Sequence, residues 1–326
     1  MEQRKFGKTG RMVSEIGLGT WQLGTKWGEP FNEEEAQKIL EASYENGITL
    51  IDTADIYNGG NSERAIGRFL KQHPDHFFVV TKCGRGLKPH AAEGYTPENI
   101  EHFVDGSLQR LGSERLDLVL LHCPPTSVYQ KDELFTGLDK LVEQGKIAAY
   151  GVSIEKVAEG LQALEYPISA IEVVFNMFRP KPAEELFPKA QAQNVGILAR
   201  VPLASGLLTG RYTKDTVFGP KDHRSFNRHG ESFDKGETFS GVDYELGLQA
   251  VAELKQLFGT DHLIPYALRW ILMHDAVSAV IPGASKAEQV LSNVKAAEQP
   301  PLTPEQMQGV ARIYDRYLRA SIHPNW

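Results

Sequence analysis

ITLIDTADIYNGGNSERAIGRFLKQHPDHFFVVTK, residues 48–82, holds two short apolar runs, ITLID (48–52) and HFFVVTK (76–82), with an amphipathic stretch, SERAIGRFLKQ, between them. Two buried extended runs joined by a helix-length crossover pair in parallel, because parallel neighbours need a long connection and antiparallel ones do not. The same rhythm extends outward from about residue 14 to residue 297. SEIGLG (14–19), LDLVLLH (116–122), IAAYGVS (147–153), AIEVVF (170–175), VGILARV (195–201) and VSAVIPG (277–283) are the other strand candidates. Eight strands alternating with helices predict an α/β fold, a (β/α)8 TIM barrel formed by residues 1–326 as a single domain.

The helices are marked by their ends. NEEEAQKILEASYENG opens on Asn32 as N-cap, carries acids in its first turn and closes at Gly47, and TPENIEHFVDGSLQRLG repeats that grammar from Thr96 to Gly112. DELFTGLDKLVEQGK, EKVAEGLQALE, PAEELFPKAQAQN and KAEQVLSNVKAAE follow it less cleanly, and Pro188 counts against the third of these. KFGKTG, ahead of the first strand, reads as a short hairpin placed to cap the barrel floor. The polar stretch from Gly210 to Asp243 lacks periodicity and reads as a long functional loop at the C-terminal face.

Composition narrows the function classes. The 326 residues are 41% hydrophobic and 24% charged, ordinary for a chain that closes a large core. Thirty-five basic residues against 42 acidic ones give a formal charge of −7, with no dense basic stripe, so nucleic acid is not an expected partner. Neither a signal peptide nor a membrane span is read, which predicts a cytoplasmic chain, monomeric or weakly oligomeric, with no membrane partner. Two cysteines, Cys83 and Cys123, read as free buried thiols facing away from the chemistry, and no metal site is expected.

In a (β/α)8 barrel the working groups sit at the carboxyl ends of the strands. Asp52, Lys82 and His122 each end an apolar run, and Tyr57 lies five residues past Asp52. Singly, such residues are common where a strand re-enters water. Together they form an acid–base set: a phenol as proton donor, an ammonium to acidify it, a carboxylate to keep the ammonium charged and an imidazole to orient a carbonyl oxygen.

The segments IDTADIYNGGNSERAIGRFL, VVTK, LVLLHCPP, PLASGLLTGRY and VIPGASKAEQVLSN, which span nearly the whole chain, resemble the aldo-keto reductase superfamily, most of all its bacterial branch of general stress reductases and the related potassium-channel β-subunits. The resemblance implies that Asp52, Tyr57, Lys82 and His122 form the reductase tetrad, with Tyr57 as general acid. It also implies NADPH/NADP+ contacts by Thr20, Trp21, Asp52 and Ser153, by Pro202, Leu203, Ala204, Ser205, Gly206 and Leu207 of PLASGLLTGR, and by Gly283, Ser285, Lys286, Gln289 and Asn293. The family often has Gln then Tyr on the sixth strand, to bind the carboxamide and stack on the nicotinamide. Here the chain has Glu172, which accepts but cannot donate, and Phe175 as a stacking face, with Asn176 as a substitute for the amide.

No G-x-G-x-x-G opens a helix after a strand, so a doubly wound dinucleotide fold is not expected. The loops after the seventh and eighth strands are instead the expected phosphate site. Ser285 reads as the cap of a helix whose free amides attract an anion, and Lys286 as the cation for a 2′-phosphate, which favours NADPH. Arg211 and Arg224 are further phosphate ligands that clamp the cofactor when the loop closes. Trp21, Trp27, Tyr57 and Trp326 are expected to wall the site for a small carbonyl substrate, beside His122. Two functions fit: an NADPH-dependent reductase of aldehydes and ketones, or an NADP(H)-holding regulatory subunit that turns over slowly and senses redox state.

Overall fold

The computed structural model describes residues 1–25 and 28–326. Strands β1 (Gln3–Lys5) and β2 (Met12–Ser14) form an antiparallel hairpin around a turn that ends on Gly10 at φ +70°, as KFGKTG predicts. The remaining strands are β3 (Leu18–Gly19), β4 (Leu50–Asp52), β5 (Phe78–Cys83), β6 (Leu118–His122), β7 (Tyr150–Ile154), β8 (Ala170–Val174), β9 (Gly196–Arg200) and β10 (Val277–Val280). These eight pair in chain order, all parallel. The two edges of the sheet meet as well. Ile16 bridges Val280, Gly19 bridges Gly283, and the Gly17 N–H donates to the Val280 carbonyl at 2.9 Å. Closure leaves the eight-stranded sheet without an open edge among the described residues.

Two apolar layers show why the strands read as continuous apolar runs. In β6, Leu118 and Leu120 point into the barrel with Leu50, Phe78, Val80, Ala170, Leu198 and Ala279. Val119 and Leu121 point outward with Ile51, Val79, Val152, Ile171 and Ile197, against the helices. Both faces are buried, so alternation is one of position and not of polarity. Continued one step toward the carboxyl end, the inward series reaches Asp52, Lys82, His122, Ser153, Glu172 and Arg200 on six successive strands, a polar layer on top of an apolar one.

The floor is closed by the hairpin. Phe6 is fully buried and meets Phe78 edge-on at 5.5 Å between ring centroids. Gly196 makes room for it, since a Cβ there would lie 2.3 Å from the Phe6 ring.

The expected helices form. Asn32 accepts from the Glu35 N–H at the start of Glu33–Glu45, Thr96 accepts from Asn99 at the start of Pro97–Leu111, and Gly112 closes the second in the left-handed region. The segment with Pro188 is helical over Pro182–Ala192. Tyr244–Phe258, Ile264–Leu272, Pro304–Tyr317 and Arg319–Ile322 form further helices that the alternation described above does not include. The stretch from Gly210 to Asp243 is not structureless, as it contains helical turns at His223–Phe226, Lys235–Glu237 and Phe239–Gly241. No helix among the described residues is long and apolar enough to cross a membrane.

Candidate active site

The polar layer floors a cavity of about 740 Å³ at the carboxyl ends of the strands. Lys82, fully buried beneath it, donates to both carboxylate oxygens of Asp52 at 2.7 Å and to the Thr53 carbonyl at 2.9 Å. Its ammonium lies 3.4 Å from the Tyr57 hydroxyl, and the Tyr57 and His122 rings meet edge-on at 5.9 Å. β4 delivers Asp52, and the tight turn Tyr57–Gly60 brings the phenol back over Lys82. Four groups on three neighbouring strands and one turn thus converge on one point.

The electrostatics follow from burial plus pairing. Burial opposes the charge on Lys82, but Asp52, then Glu172, hold its pKa above the ordinary value, so the ammonium stays charged. Asp52 is pushed up by burial and by Glu172, against the pull of Lys82. Burial, then Arg85, Lys82 and Arg200, drive His122 well below its ordinary value, which leaves a neutral imidazole at neutral pH. The phenol departs from expectation. Lys82 does pull the Tyr57 pKa down, but burial outweighs it, and Asp52, Glu172 and Glu237 push the same way as burial. Tyr57 is therefore a less acidic phenol than one in water, and fully protonated at neutral pH.

A second polar group adjoins the first. Ser153 donates to Glu172 Oε1 at 3.3 Å, and Glu172 Oε2 lies 3.3 Å from the Lys82 ammonium. Arg200 is shared among Glu155 at 3.1 Å, Glu172 at 3.7 Å and Glu237 at 3.8 Å, while Arg85 reaches Glu237 at 2.8 Å. Against its burial, Arg85 and Arg200 draw Glu237 down to about 2, whereas burial and the neighbouring Glu237 lift Glu155 to about 8. Arg85, Arg200 and Glu237 all line the cavity and are absent from the sequence reading. Arg200 was findable by carrying the inward alternation through VGILARV. Glu237 was not, because it comes from the long loop 210–243 and reaches the barrel only through folding.

The sequence matches the Aldo/keto reductase family model over residues 15–315. The chain belongs to the aldo/keto reductase family. It is 32% identical to the aldo-keto reductase YhdN of Bacillus subtilis, over 89% of this chain and 87% of that one. It is 30% identical to a putative voltage-gated potassium channel subunit beta of Schizosaccharomyces pombe, over 95% and 92%. The solved glycerol dehydrogenase AKR11B4 of Gluconobacter oxydans superposes with a TM-score of 0.78 at 31% identity, covering 99% of this chain and 98% of that one. These likenesses make the chain an oxidoreductase of carbonyl chemistry on a (β/α)8 barrel, in a family that uses nicotinamide cofactors.

Many residues expected to touch such a cofactor do line the cavity. Thr20, Trp21, Asp52 and Ser153 do so from the strand ends, and Glu172 from the floor. Pro202, Leu203, Ser205 and Gly206 line it after β9, and Gly283 and Gln289 after β10. Arg224 lines it from the long loop, paired with Asp222 at 2.5 Å and with the Tyr212 hydroxyl. Glu172 Oε2 and His122 Nδ1 are buried without a hydrogen-bond partner. Orphaned polar atoms in cavity-lining residues fit a bound polar group that completes their bonding.

Other residues of the sequence reading lie elsewhere. Ala204 and Leu207 turn into the core, Arg211 is exposed outside the cavity, and Asn293 donates to the Gly283 carbonyl at 3.4 Å beneath it. Ser285 does not cap the following helix. That helix, Ala287–Val294, starts from Lys286, which is exposed, while the Ser285 N–H donates to Gln289 Oε1 at 2.7 Å. Neither Ser285 nor Lys286 lines the cavity. Phe175 is fully buried against Phe187, Trp270 and His274 on the outer face, one step out of phase with Glu172, and offers no stacking face. Asn176 spends its amide on the Val201 carbonyl and on Ser240. Of the aromatic wall, Trp21 and Tyr57 are in place, Trp27 lies outside the described residues, and Trp326 stacks on Arg179 away from the cavity. Phe233, on the long loop, supplies the missing face beside Trp21 at 6.4 Å. Cys83 joins the outer core as expected, but Cys123, past the strand end at φ +48°, sits 3.6 Å from both Ser153 Oγ and the Arg200 guanidinium. Cys123, Glu155 and Glu237 bring ligand-type atoms within 4.8 Å of one another, with Arg85 and Arg200 supplying the positive charge there.

Proposed function

We propose that this chain is an NADPH-dependent reductase of aldehydes and ketones, with Tyr57 as general acid, Lys82 and Asp52 as its electrostatic support and His122 orienting the carbonyl. The observation that carries the reading is the buried Lys82, held by Asp52 at 2.7 Å and set 3.4 Å from the one phenol that overlies it in the cavity. The bound cofactor supplies a hydride to the carbonyl carbon. Tyr57 gives its hydroxyl proton to the carbonyl oxygen. The phenolate that forms is met by the ammonium of Lys82, so the cost of a buried negative charge is offset where the charge develops. Asp52 keeps Lys82 charged before and after transfer. His122, neutral because it is buried among cations, donates an N–H to the same oxygen without competing as an acid. Arg224 in the cavity wall supports a 2′-phosphate and hence NADPH over NADH. Trp21, Tyr57 and Phe233 support a small carbonyl compound with an apolar face.

The test is NADPH oxidation with small aldehydes by the wild type and by Tyr57→Phe. Loss of the proton donor is expected to lower kcat/KM by about 10²-fold or more while NADPH still binds; equal rates would refute the assignment. The likeness to a putative channel subunit supports the second reading, a slowly turning redox-sensing subunit. Cofactor exchange slower than the chemical step across a panel of aldehydes would favour it.

A further inference from the structure

Lys82 faces two carboxylates with one charge. Both oxygens of Asp52 lie at 2.7 Å, and Glu172 Oε2 at 3.3 Å, where it accepts no hydrogen bond. Glu172 is 2% exposed, and its other oxygen faces Ser153 and an Arg200 already divided between Glu155 and Glu237. Neither cation beside Glu172 belongs to it alone, since Lys82 is shared with Asp52 at 2.7 Å and Arg200 with Glu155 at 3.1 Å and Glu237 at 3.8 Å.

We propose that Glu172 selects the redox state of the cofactor, favouring the positively charged oxidised nicotinamide over the neutral reduced one. The inference rests on the reductase reading above, which places the reacting carbon beside Tyr57 and His122. A hydride donor must come within about 3–3.5 Å of that carbon, so the ring is held near the phenol. The phenol lies 3.4 Å from Lys82, and Lys82 lies 3.3 Å from Glu172. The carboxylate is therefore within about 7 Å of the phenol oxygen, and a cationic ring held beside that phenol would feel it: at such a range one unit charge acting on another at a protein-like dielectric changes an affinity by a factor on the order of ten. A glutamine here would hydrogen-bond the carboxamide equally well in both redox states. The glutamate adds a term that only the oxidised ring feels. Its consequence is that carbonyl reduction runs downhill on the protein and departure of the oxidised cofactor is slowed.

The experiment is a calorimetric or fluorescence titration of the full chain with NADP+ and with NADPH, for the wild type, Glu172→Gln and Glu172→Asp. The phosphates and adenosine are common to both ligands and cancel in the ratio of the two Kd values. The wild type is expected to hold NADP+ at least as tightly as NADPH. Glu172→Gln is expected to shift the ratio about tenfold toward NADPH, and Glu172→Asp, which keeps the charge, to leave it within about threefold of wild type. A ratio unchanged in Glu172→Gln overturns the role of Glu172 and leaves the reductase reading standing. If Glu172→Gln does not fold, the wild-type ratio decides, and NADPH held more than about tenfold tighter overturns the proposal. Binding of neither nucleotide by the wild type overturns both readings.

Discussion

Asp55 illustrates what one buried carboxylate does to the molecule. It lies three residues past Asp52, is 7% exposed, and neither oxygen has a hydrogen-bond partner. Burial, then Glu63, lift its pKa to about 7, against the pull of Arg110. Between the ordinary carboxylate value near 4 and about 7 the native chain keeps a proton that the unfolded chain has released, so this group's contribution to stability is full below that window and is lost as pH rises through it. His122 acts in the opposite sense, since its pKa is lowered and the unfolded chain is the one that binds the extra proton on acidification. Comparing Asp55→Asn with wild type cancels the histidine. Urea unfolding at pH 5 and pH 8 is expected to show the variant gaining stability on the wild type by a few kcal/mol at most as pH rises. An equal difference at both pH values would contradict the shifted Asp55. At this scale Asp52, Lys82 and His122 were legible because each is an ionisable residue ending an apolar run. Arg85 and Glu237 were not, because nothing in their local sequence marks a partner 152 residues away.

Among the elements, strands were easier to read than helices. Each of the eight barrel strands falls inside its expected run or within one residue of it, since a strand buried on both faces leaves an apolar signature in any register. The helix Tyr244–Phe258 was missed although it carries the same grammar as the others. Asp243 accepts from the Glu245 and Leu246 amides at its start, and Gly259 closes it in the left-handed region. No strand candidate precedes it, so an alternation-based reading passes it by. Its cap makes a local prediction. Asp243→Ala is expected to cost about 0.5–2 kcal/mol in chemical unfolding, with Asp243→Asn close to wild type. A cost shared by the asparagine variant would point to charge and not to the cap. Phe175 shows the other limit of element-level reading. Residues 172 and 175 differ by an odd step along an extended chain, so the two could not both face the cavity, and period-two geometry alone assigns Phe175 to the outer face.

For the molecule as a whole, the barrel must be closed at one end to be used at the other. Phe6 and Val13 of the hairpin join the inner apolar layer and separate the polar layer from the floor. Phe6→Ala is expected to cost about 3–5 kcal/mol, because a fully buried ring is removed from a site that Gly196 is shaped to receive. Thermal unfolding measures it, and a loss below about 1 kcal/mol would mean that the hairpin is an ornament and not a plug.

The order of apolar runs, helix caps and polar strand ends determined the fold class from sequence alone, and pointed to Asp52, Lys82 and His122 as side chains that meet at one end of the barrel. Those signals are local or periodic, and a barrel repeats them eight times. Tertiary structure decided the balance of charge: which carboxylates share Lys82, that Arg200 completes the polar layer, that Glu237 descends from a distant loop, and that burial raises the Tyr57 phenol despite its ammonium. Desolvation and ion pairing depend on distance through space and on exclusion of water, and neither is written along the chain.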